Sequence, residues 1–471
     1  MAKKIYFILL FLISAFSIYL GYNITIIPTK YLYVLITFYI IFLLLILILL
    51  FRKKKILRII GIFLSIVLIT ISIGVAFIYH KTNTFFNKIT NVKYETSNYS
   101  LLVLKSNNYE KLEDIKNTGT YSNELDKNYD SALKELDDKV KLNKNKYTDI
   151  FELVNDFLNN HIEAIFINEN YIDIIDENNT DFKDKIKVID TITIKSINEK
   201  KELENEIKKL GNFNIDISGI DTYGPITTVS RSDVNILATI NIKGSKILLT
   251  NTPRDYYVQL HGTTGNKDKL THAGVYGIDM SMQTLSDLYD TPIDYYIRVN
   301  FNSLITLVDA IGGVDIYSDS SFRTYTNKNV YVNAGWNHFN GEQALAYSRE
   351  RYAYMEGDRH RGQNQQQVIE AIIKKVTESN DINTYLTLLN TLENSIQTNI
   401  DKKLINGFIN LQVKKKFNWS VESIQANGYD DGGYTYSYPG QYLYVMQPDY
   451  NSVEVARNKI KELLDKENSD N

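Results

Sequence analysis

The chain has 471 residues, no cysteine, and 52 Lys or Arg against 55 Asp or Glu, for a formal net charge of −3. The lack of cysteine excludes a disulfide framework and thiolate metal sites, and it suits an exported protein that folds without oxidative help. The charge is unevenly spread: no acidic residue precedes Glu95 while eleven basic ones do, leaving 41 basic against 55 acidic residues, or about −14, in the rest. A nucleic-acid reader is normally basic on its binding face, so no nucleic-acid partner is expected.

Three apolar stretches, residues 5–27, 31–51 and 59–80, open the chain. Each is near the ~20 residues that a helix needs to cross a bilayer core. The second is apolar all round and reads as a spanning helix; the first is weaker, because Gly21, Tyr22 and Asn23 interrupt it. A cleaved signal peptide is the alternative for that first stretch, but no A-x-A-like site follows it. Lys3 and Lys4 precede the first span, and Arg52, Lys53, Lys54, Lys55 and Arg58 fill the second connection, whereas the first connection holds only Lys30. The positive-inside rule then puts the amino terminus and the second connection in the cytoplasm. Three crossings deliver everything from about Lys81 onward to the outer face, as the ectodomain of a cell-membrane protein.

The expected organisation is a membrane region with three transmembrane helices over 1–80, a juxtamembrane linker over 81–96, a smaller α/β domain over 97–213, and a second α/β domain over 214–471. In the smaller domain, short apolar runs (SLLVLK, EAIFINEN, YIDIID, KIKVID) alternate with helical patterns such as YDSALKELDDKVK and DIFELVNDFLNNH. No Gly-rich phosphate loop, His cluster or Ser/His/Asp set is legible there, and a spacer or partner-docking role is the plain reading. From Asn214 onward, apolar strands (VNILATINI, KILLT, YYIRVNF, GGVDIYS) alternate with helical patterns (SMQTLSDLYD, SLITLVDAIG, QNQQQVIEAIIKKV). That predicts a sheet covered by helices. Gly312 and Gly313 are placed to end the helix carrying Leu304, Leu307 and Val308.

Arginine is the informative residue. The chain has eleven, against 41 lysines, and none lies between Arg58 and Arg231. Where any cation serves, this chain uses lysine. Yet Arg231, Arg254, Arg349, Arg351, Arg359 and Arg361 fall in the second domain, several at junctions after apolar strands. A guanidinium grips phosphate through two parallel hydrogen bonds, which lysine cannot copy, so a phosphate site is the sharp reading and surface pairing with nearby carboxylates the plain one. Arg349 and Arg351, two apart, are expected on one side of a strand. Asp221 and Asp233 lie in or after Gly- or Ser-containing turns and are candidates to hold one Mg2+, a hard cation usually bound by one or two carboxylates plus substrate phosphates. A carboxylate-held metal beside several arginines suits a pyrophosphate.

The segments SGIDTYG, SRSDVNILATIN, TPRDYYV, KLTHAGVYG, NFNSLITLVDAIGGVDI and GEQALAYSRERYAYMEGDRHRGQNQQQVI, in that order, resemble the motifs of the LytR-CpsA-Psr family. The three amino-terminal spans and the smaller α/β domain further resemble the capsule-operon branch of Gram-positive cocci. The resemblance implies a helix-sheet-helix catalytic domain that holds a polyprenyl pyrophosphate, its lipid tail in an apolar pocket beneath the sheet. It also implies transfer of a capsular or other cell-wall glycopolymer from that carrier to peptidoglycan, with capsule export machinery as a further partner. Carried over by motif, Asp221 and Asp233 resemble the magnesium ligands, and Arg254, Arg349, Arg351 and Arg361 the pyrophosphate clamp. Asp358 and Gln365 fall on supporting positions, and Arg231 sits beside the metal ligand. Arg359 has no firm counterpart, and Lys269 and His272 are less clear.

Breaking the bond between polymer and carrier develops negative charge on the leaving phosphate, which arginines and Mg2+ would stabilise. Asp358, between the clamp arginines, is the candidate base for the acceptor hydroxyl; Asp255 reads as a turn residue. A polyprenyl-pyrophosphate hydrolase, or a non-catalytic regulator of capsule export and chain length, are the competing functions. The 35 tyrosines, clustered at 256–257, 295–296 and 434–444, read as composition and packing, and no glycan role is assigned to them.

Overall fold

The computed structural model describes residues 2–24, 29–90, 94–123, 125–179, 181–197, 211–222, 225–355, 357–379, 387–388, 391, 395–400 and 402–465. Three amino-terminal helices, α1 (Ala2–Asn23), α2 (Thr29–Phe51) and α3 (Lys55–Thr90), are each long and apolar enough to cross a membrane. Because α3 continues to Thr90 and the first strand starts at Tyr94, residues 81–90 of the expected linker are helical. Helix propagation adds one hydrogen bond per residue, so a formed helix carries on through KTNTFF when no Pro or Gly stops it. Residues 91–93 lie outside the described residues, as do residues 25–27 of the first expected span.

The smaller domain is a five-stranded sheet of β1 (Tyr94–Leu104), β2 (Asn117–Tyr121), β3 (Asn143–Tyr147), β4 (Ala164–Asn168) and β5 (Ile186–Ile197), in the order β3-β2-β4-β1-β5. Strand alternation sends Leu102, Ile165 and Ile167 to one face, against the helices Ile150–Leu158 and Asn170–Asn178. Leu101, Val103 and Phe166 go to the other, against Tyr129–Lys139. One expectation is corrected: YIDIID is not an apolar strand run but part of the helix Asn170–Asn178. The Asn168 side chain accepts from the Asn170 amide at 3.1 Å and turns the chain as β4 ends. Tyr171, Ile174 and Ile175 then fall on one helical face and are buried.

In the second domain β6 (Phe213–Ile220), β7 (Ser232–Asn241) and β8 (Lys246–Asn251) form an antiparallel meander. Tyr295–Val299 lies parallel to β6 with Ile396–Thr398 beyond it, and Ser420–Gln425 lies parallel to β8, completing a six-stranded sheet. One face (Ile215, Ile236, Ala238, Leu249) meets the helices Asp358–Glu378 and Lys402–Lys415. The other (Leu237, Leu248) meets Ile278–Tyr289 and Tyr450–Asp465. This is the helix-sheet-helix arrangement expected. The run GGVDIYS forms a strand, Val314–Ser318, that pairs with Gly335–Phe339 in a separate two-stranded sheet. Gly312 and Gly313 follow the helix Phe301–Ala310 with φ of +77° and +88°, a region that favours glycine.

The two domains are joined by main chain and by a buried ion pair. The amide of Thr96 donates to the Thr227 carbonyl at 2.9 Å, and that of Val229 to the Thr96 carbonyl at 2.9 Å. Beside this bridge, Glu95 accepts from Arg298 at 3.2 Å, with both side chains almost fully buried.

Candidate functional site

β6 and the strand Tyr295–Val299 run parallel, and β7 runs against them, so the end of β6, the start of β7, the end of β8 and the end of Tyr295–Val299 share one edge of the sheet. Asp221 follows β6, Arg231 and Asp233 stand at the start of β7, Arg254 follows β8, and Asn300 opens the next helix. The sequence separates these residues; the strand directions bring them together. Two glycines permit the close packing around them. A Cβ on Gly274 would lie 2.6 Å from the Ser230 carbonyl oxygen, and one on Gly362 would lie 2.1 Å from the Asn251 side chain. The Gly362 helix is held to the sheet by Gln366, which donates to the carbonyls of Leu249 and Ile424 at 2.9 and 2.7 Å.

Arg254 Nη1 donates to both oxygens of Asp233, at 3.1 and 2.9 Å, and Thr271 Oγ1 adds a third bond at 3.2 Å. Burial works to raise the Asp233 carboxyl, but Arg254, Arg361 and Arg231 outweigh it and hold it well below the usual carboxylate range. Arg254 Nε also reaches Asp255 at 3.4 Å, and Lys269 Nζ reaches the other oxygen of Asp255 at 3.2 Å. Asp221 lies between two guanidinium groups, 3.9 Å from Arg231 and 3.8 Å from Arg349. Burial first, and repulsion from Asp233 second, push its carboxyl up despite those arginines. Two carboxylates thus converge among Arg231, Arg254, Arg349 and Arg361, with Asp233 held ionised by them and Asp221 pushed up chiefly by burial.

Arg349 stacks on Phe301, its guanidinium 4.1 Å from the ring centroid. The expectation that Arg349 and Arg351 share a strand face is corrected. The helix Gly341–Ser348, started by an Asn340/Gln343 capping box, runs up to Arg349, which caps it. Arg351 stands two residues on in a turn and lies against Tyr352 at 5.2 Å. Glu350 shapes that turn by accepting from the amides of Arg351, Tyr352 and Ala353 at 3.1, 2.8 and 3.0 Å. Arg361 and Gln365, four apart on the helix Asp358–Glu378, are both buried on one face of it. Arg359 gives its carbonyl to Gln425 at 3.1 Å. The side chain of Asp358, the candidate base, lies outside the described residues, as do Tyr223 and Gly224 of the first motif. His272 stands behind the edge, sharing a 2.6 Å hydrogen bond with the fully buried Asp268.

Three participants went unnoticed in the sequence. Arg298 carried a signal, a guanidinium inside the apolar run YYIRVNF. Thr271 lies in the motif KLTHAGVYG, which alone did not single it out. Asp173 comes from the smaller domain, 3.5 Å from Arg231, and nothing local distinguishes it from the other acidic residues there.

The LytR_cpsA_psr family model matches residues 176–452, more than half of the chain, and the chain belongs to that family. Among curated relatives, it is 34% identical over 227 residues to the polyisoprenyl-teichoic acid–peptidoglycan teichoic acid transferase TagT of Bacillus subtilis, covering 46% of this chain and 68% of the relative. It is 35% identical over 198 residues to TagU of Bacillus cereus, a transferase of the same description, covering 42% of this chain and 63% of that one. Biofilm regulatory protein A of Streptococcus mutans is 34% identical over 203 residues, 40% of this chain and 50% of its own length. The crystal structure of Bacillus subtilis TagV superposes with a TM-score of 0.47 at 28% identity, covering 54% of this chain and 98% of that one.

Proposed function

We propose that the protein is a membrane-bound transferase that moves a cell-wall glycopolymer from a polyprenyl-pyrophosphate carrier to peptidoglycan at the outer face of the membrane. The observation that carries this reading is the convergence of Asp221 and Asp233 with Arg231, Arg254, Arg349 and Arg361 on one edge of the sheet. Family membership and the transferase relatives support it. The capsule as polymer, and export machinery as partner, rest on the resemblance of the three spans and the smaller domain to the capsule-operon branch. The basic second connection supports a cytoplasmic amino terminus.

Beneath the edge, Ile217, Val234, Ile297, Ile369 and Ile373 are only partly buried on the apolar face, which suits a polyprenyl tail. The donor set fits Mg2+. Mg2+ is usually held by one or two carboxylates, so Asp221 and Asp233 would hold it and leave other positions to water and phosphate. Bound there, Mg2+ would supply charge neutralisation of the pyrophosphate. Arg254, braced by Asp233 and Asp255, is preorganised, and Arg349 and Arg351 supply forks for the phosphate oxygens from the rim.

The test exchanges the fork for a point charge. Arg349→Lys or Arg351→Lys keeps the charge but loses the bidentate geometry, and truncating a charged partner of this kind removes ~2–5 kcal/mol, roughly thirtyfold to several thousandfold. Wall-bound polymer should fall by such a factor, with polymer released into the medium and the protein still in the membrane. A wild-type ratio of bound to released polymer in both variants would overturn the reading in favour of a scaffold.

A further inference from the structure

A cavity of about 160 Å3 opens between the two domains beside Asp221. From the smaller domain it is lined by Asn98 on β1 and by Glu169, Asn170 and Asp173 around the start of the helix after β4; from the catalytic domain it is lined by Asp221 and Arg231. We propose that this cavity is a saccharide subsite that seats one uncharged pyranose unit next to the reacting phosphate, so that the smaller domain forms a wall of the site. The inference rests on the transferase reading above and adds a ligand site to it.

Size, chemistry and rigidity support the assignment. A cavity of roughly 150 Å3 admits a single six-membered ring. Sugar hydroxyls both donate and accept, and the lining offers carboxamides and carboxylates that do the complementary work. Several of these groups are held by a bond on one side and open on the other. Asn98 Oδ1 accepts from Thr193 Oγ1 at 2.9 Å, and Glu169 Oε1 accepts from Ser100 Oγ at 2.6 Å. Asn98 Nδ2, Glu169 Oε2 and the side-chain amide of Asn170 have no hydrogen-bond partner among the described residues. The guanidinium of Arg231 lies against Asp173 and Asp221, and Lys183 and Arg349 pair with the same two carboxylates at 2.6 and 3.8 Å, so the cavity is close to charge-balanced and suits a neutral sugar, while the pyrophosphate belongs to the arginine-rich edge. The wall is fixed by the main-chain bridge at Thr96 and the buried Glu95–Arg298 pair. Asn98, Glu169, Asn170 and Asp173 all precede residue 176, where the family match begins, so the wall lies outside the segment this chain shares with the family.

A pyranose in this position belongs either to the peptidoglycan acceptor or to the first sugars of the carrier-linked polymer. The experiment uses the full-length protein in lipid nanodiscs, with the variants N98A/N170A, which removes the open amides, and N170W, which fills the cavity. A soluble muroglycan tetrasaccharide is one probe and the undecaprenyl-pyrophosphate-linked polymer the other. Each variant should raise the KM for one probe at least tenfold while the polyprenyl phosphate that co-purifies, read by mass spectrometry, stays at the wild-type amount. A shift with the tetrasaccharide assigns the subsite to the acceptor; a shift with the polymer assigns it to the donor. Unchanged KM for both probes in both variants overturns the subsite. Should the wild type transfer nothing, the transferase reading fails by itself. The subsite is then judged by saturation-transfer NMR of the tetrasaccharide, and a wild-type signal that is absent, or that N170W leaves intact, overturns it.

Discussion

The five-stranded sheet of the smaller domain and the six-stranded sheet of the second domain are both covered by helices, but they are filled differently. In the first, Leu101, Leu102, Val103, Ile165, Phe166 and Ile167 on the central strands have no solvent exposure, and only the edge strands stay open, as at Val188 on β5. In the second, Ile217, Val234, Ile240 and Ile297 remain half-buried on one face, and one edge gathers charge instead of apolar side chains. A filled sheet contributes stability; a partly filled one with a charged edge suits the lipid-linked ligand proposed above. The smaller domain brings Asp173 to within 3.5 Å of Arg231, and the second domain carries the charged edge.

The sharpest way to break this contrast is at the charged edge. Asp233→Asn removes the partner that Arg254 grips with two hydrogen bonds, and polymer transfer should fall by about a hundredfold to several thousandfold. The unfolding temperature should fall as well, because the substitution breaks a largely buried ion pair, so transfer is compared per amount of folded protein. Full transfer in this variant, measured with chelator present, would remove both aspartates from the metal assignment.

The join between the two bodies comes next. Glu95→Ala leaves the guanidinium of Arg298 buried and without its carboxylate, a loss of ~3–5 kcal/mol. Denaturant unfolding of the full-length protein should show it as a lower midpoint, and Arg298→Met in the same chain should recover part of it. A single-variant loss under about 1 kcal/mol would mean that the pair does not hold the domains together.

Core truncations test the filling itself. Ile165→Ala, in the closed sheet, should remove ~2–5 kcal/mol of stability. Ile217→Ala, on the half-covered face, should remove about 1 kcal/mol, since only part of its surface is buried, yet it should reduce the polyprenyl phosphate retained on purification. Equal losses at both positions would show that the two sheets are filled alike.

A further expected effect concerns pH. Asp216 is fully buried on β6, neither oxygen has a hydrogen-bond partner among the described residues, and burial pushes its carboxyl up to about 7. The folded value lies above the ordinary one of 3.8, so the stability tied to its neutral form is complete below about 3.8 and lost as pH rises through about 7. Between pH 5 and pH 8 the wild type should lose on the order of 2 kcal/mol, and Asp216→Asn should flatten that slope. A slope unchanged by the substitution would place the titration elsewhere.

Tyrosine marks a limit of reasoning from composition. Tyr256, Tyr289, Tyr296 and Tyr438 are core residues, as packing predicts, whereas Tyr434, Tyr442 and Tyr444 face solvent on one hairpin. The same residue type serves both places, and only its partners separate them.

What the sequence determined by itself is whatever depends on neighbours within a few turns of chain. The three apolar helices follow from length and hydropathy. The strands β4, β7 and β8 and the helices Tyr129–Lys139, Ile150–Leu158 and Phe301–Ala310 follow from periodicity and end signals. The candidate site residues themselves were legible as arginines in a lysine-rich chain and as aspartates at strand junctions. Tertiary structure decided what depends on contacts far apart in sequence. Arg254 grips Asp233, 21 residues away, and Arg349 stacks on Phe301, 48 residues before it. Asp173 enters the site from another domain, 58 residues from Arg231, and Glu95 meets Arg298 across 203 residues. A charge carries no local mark of its partner, because Coulomb attraction and burial act through space, and only the packing of strands and helices sets which charges come within reach.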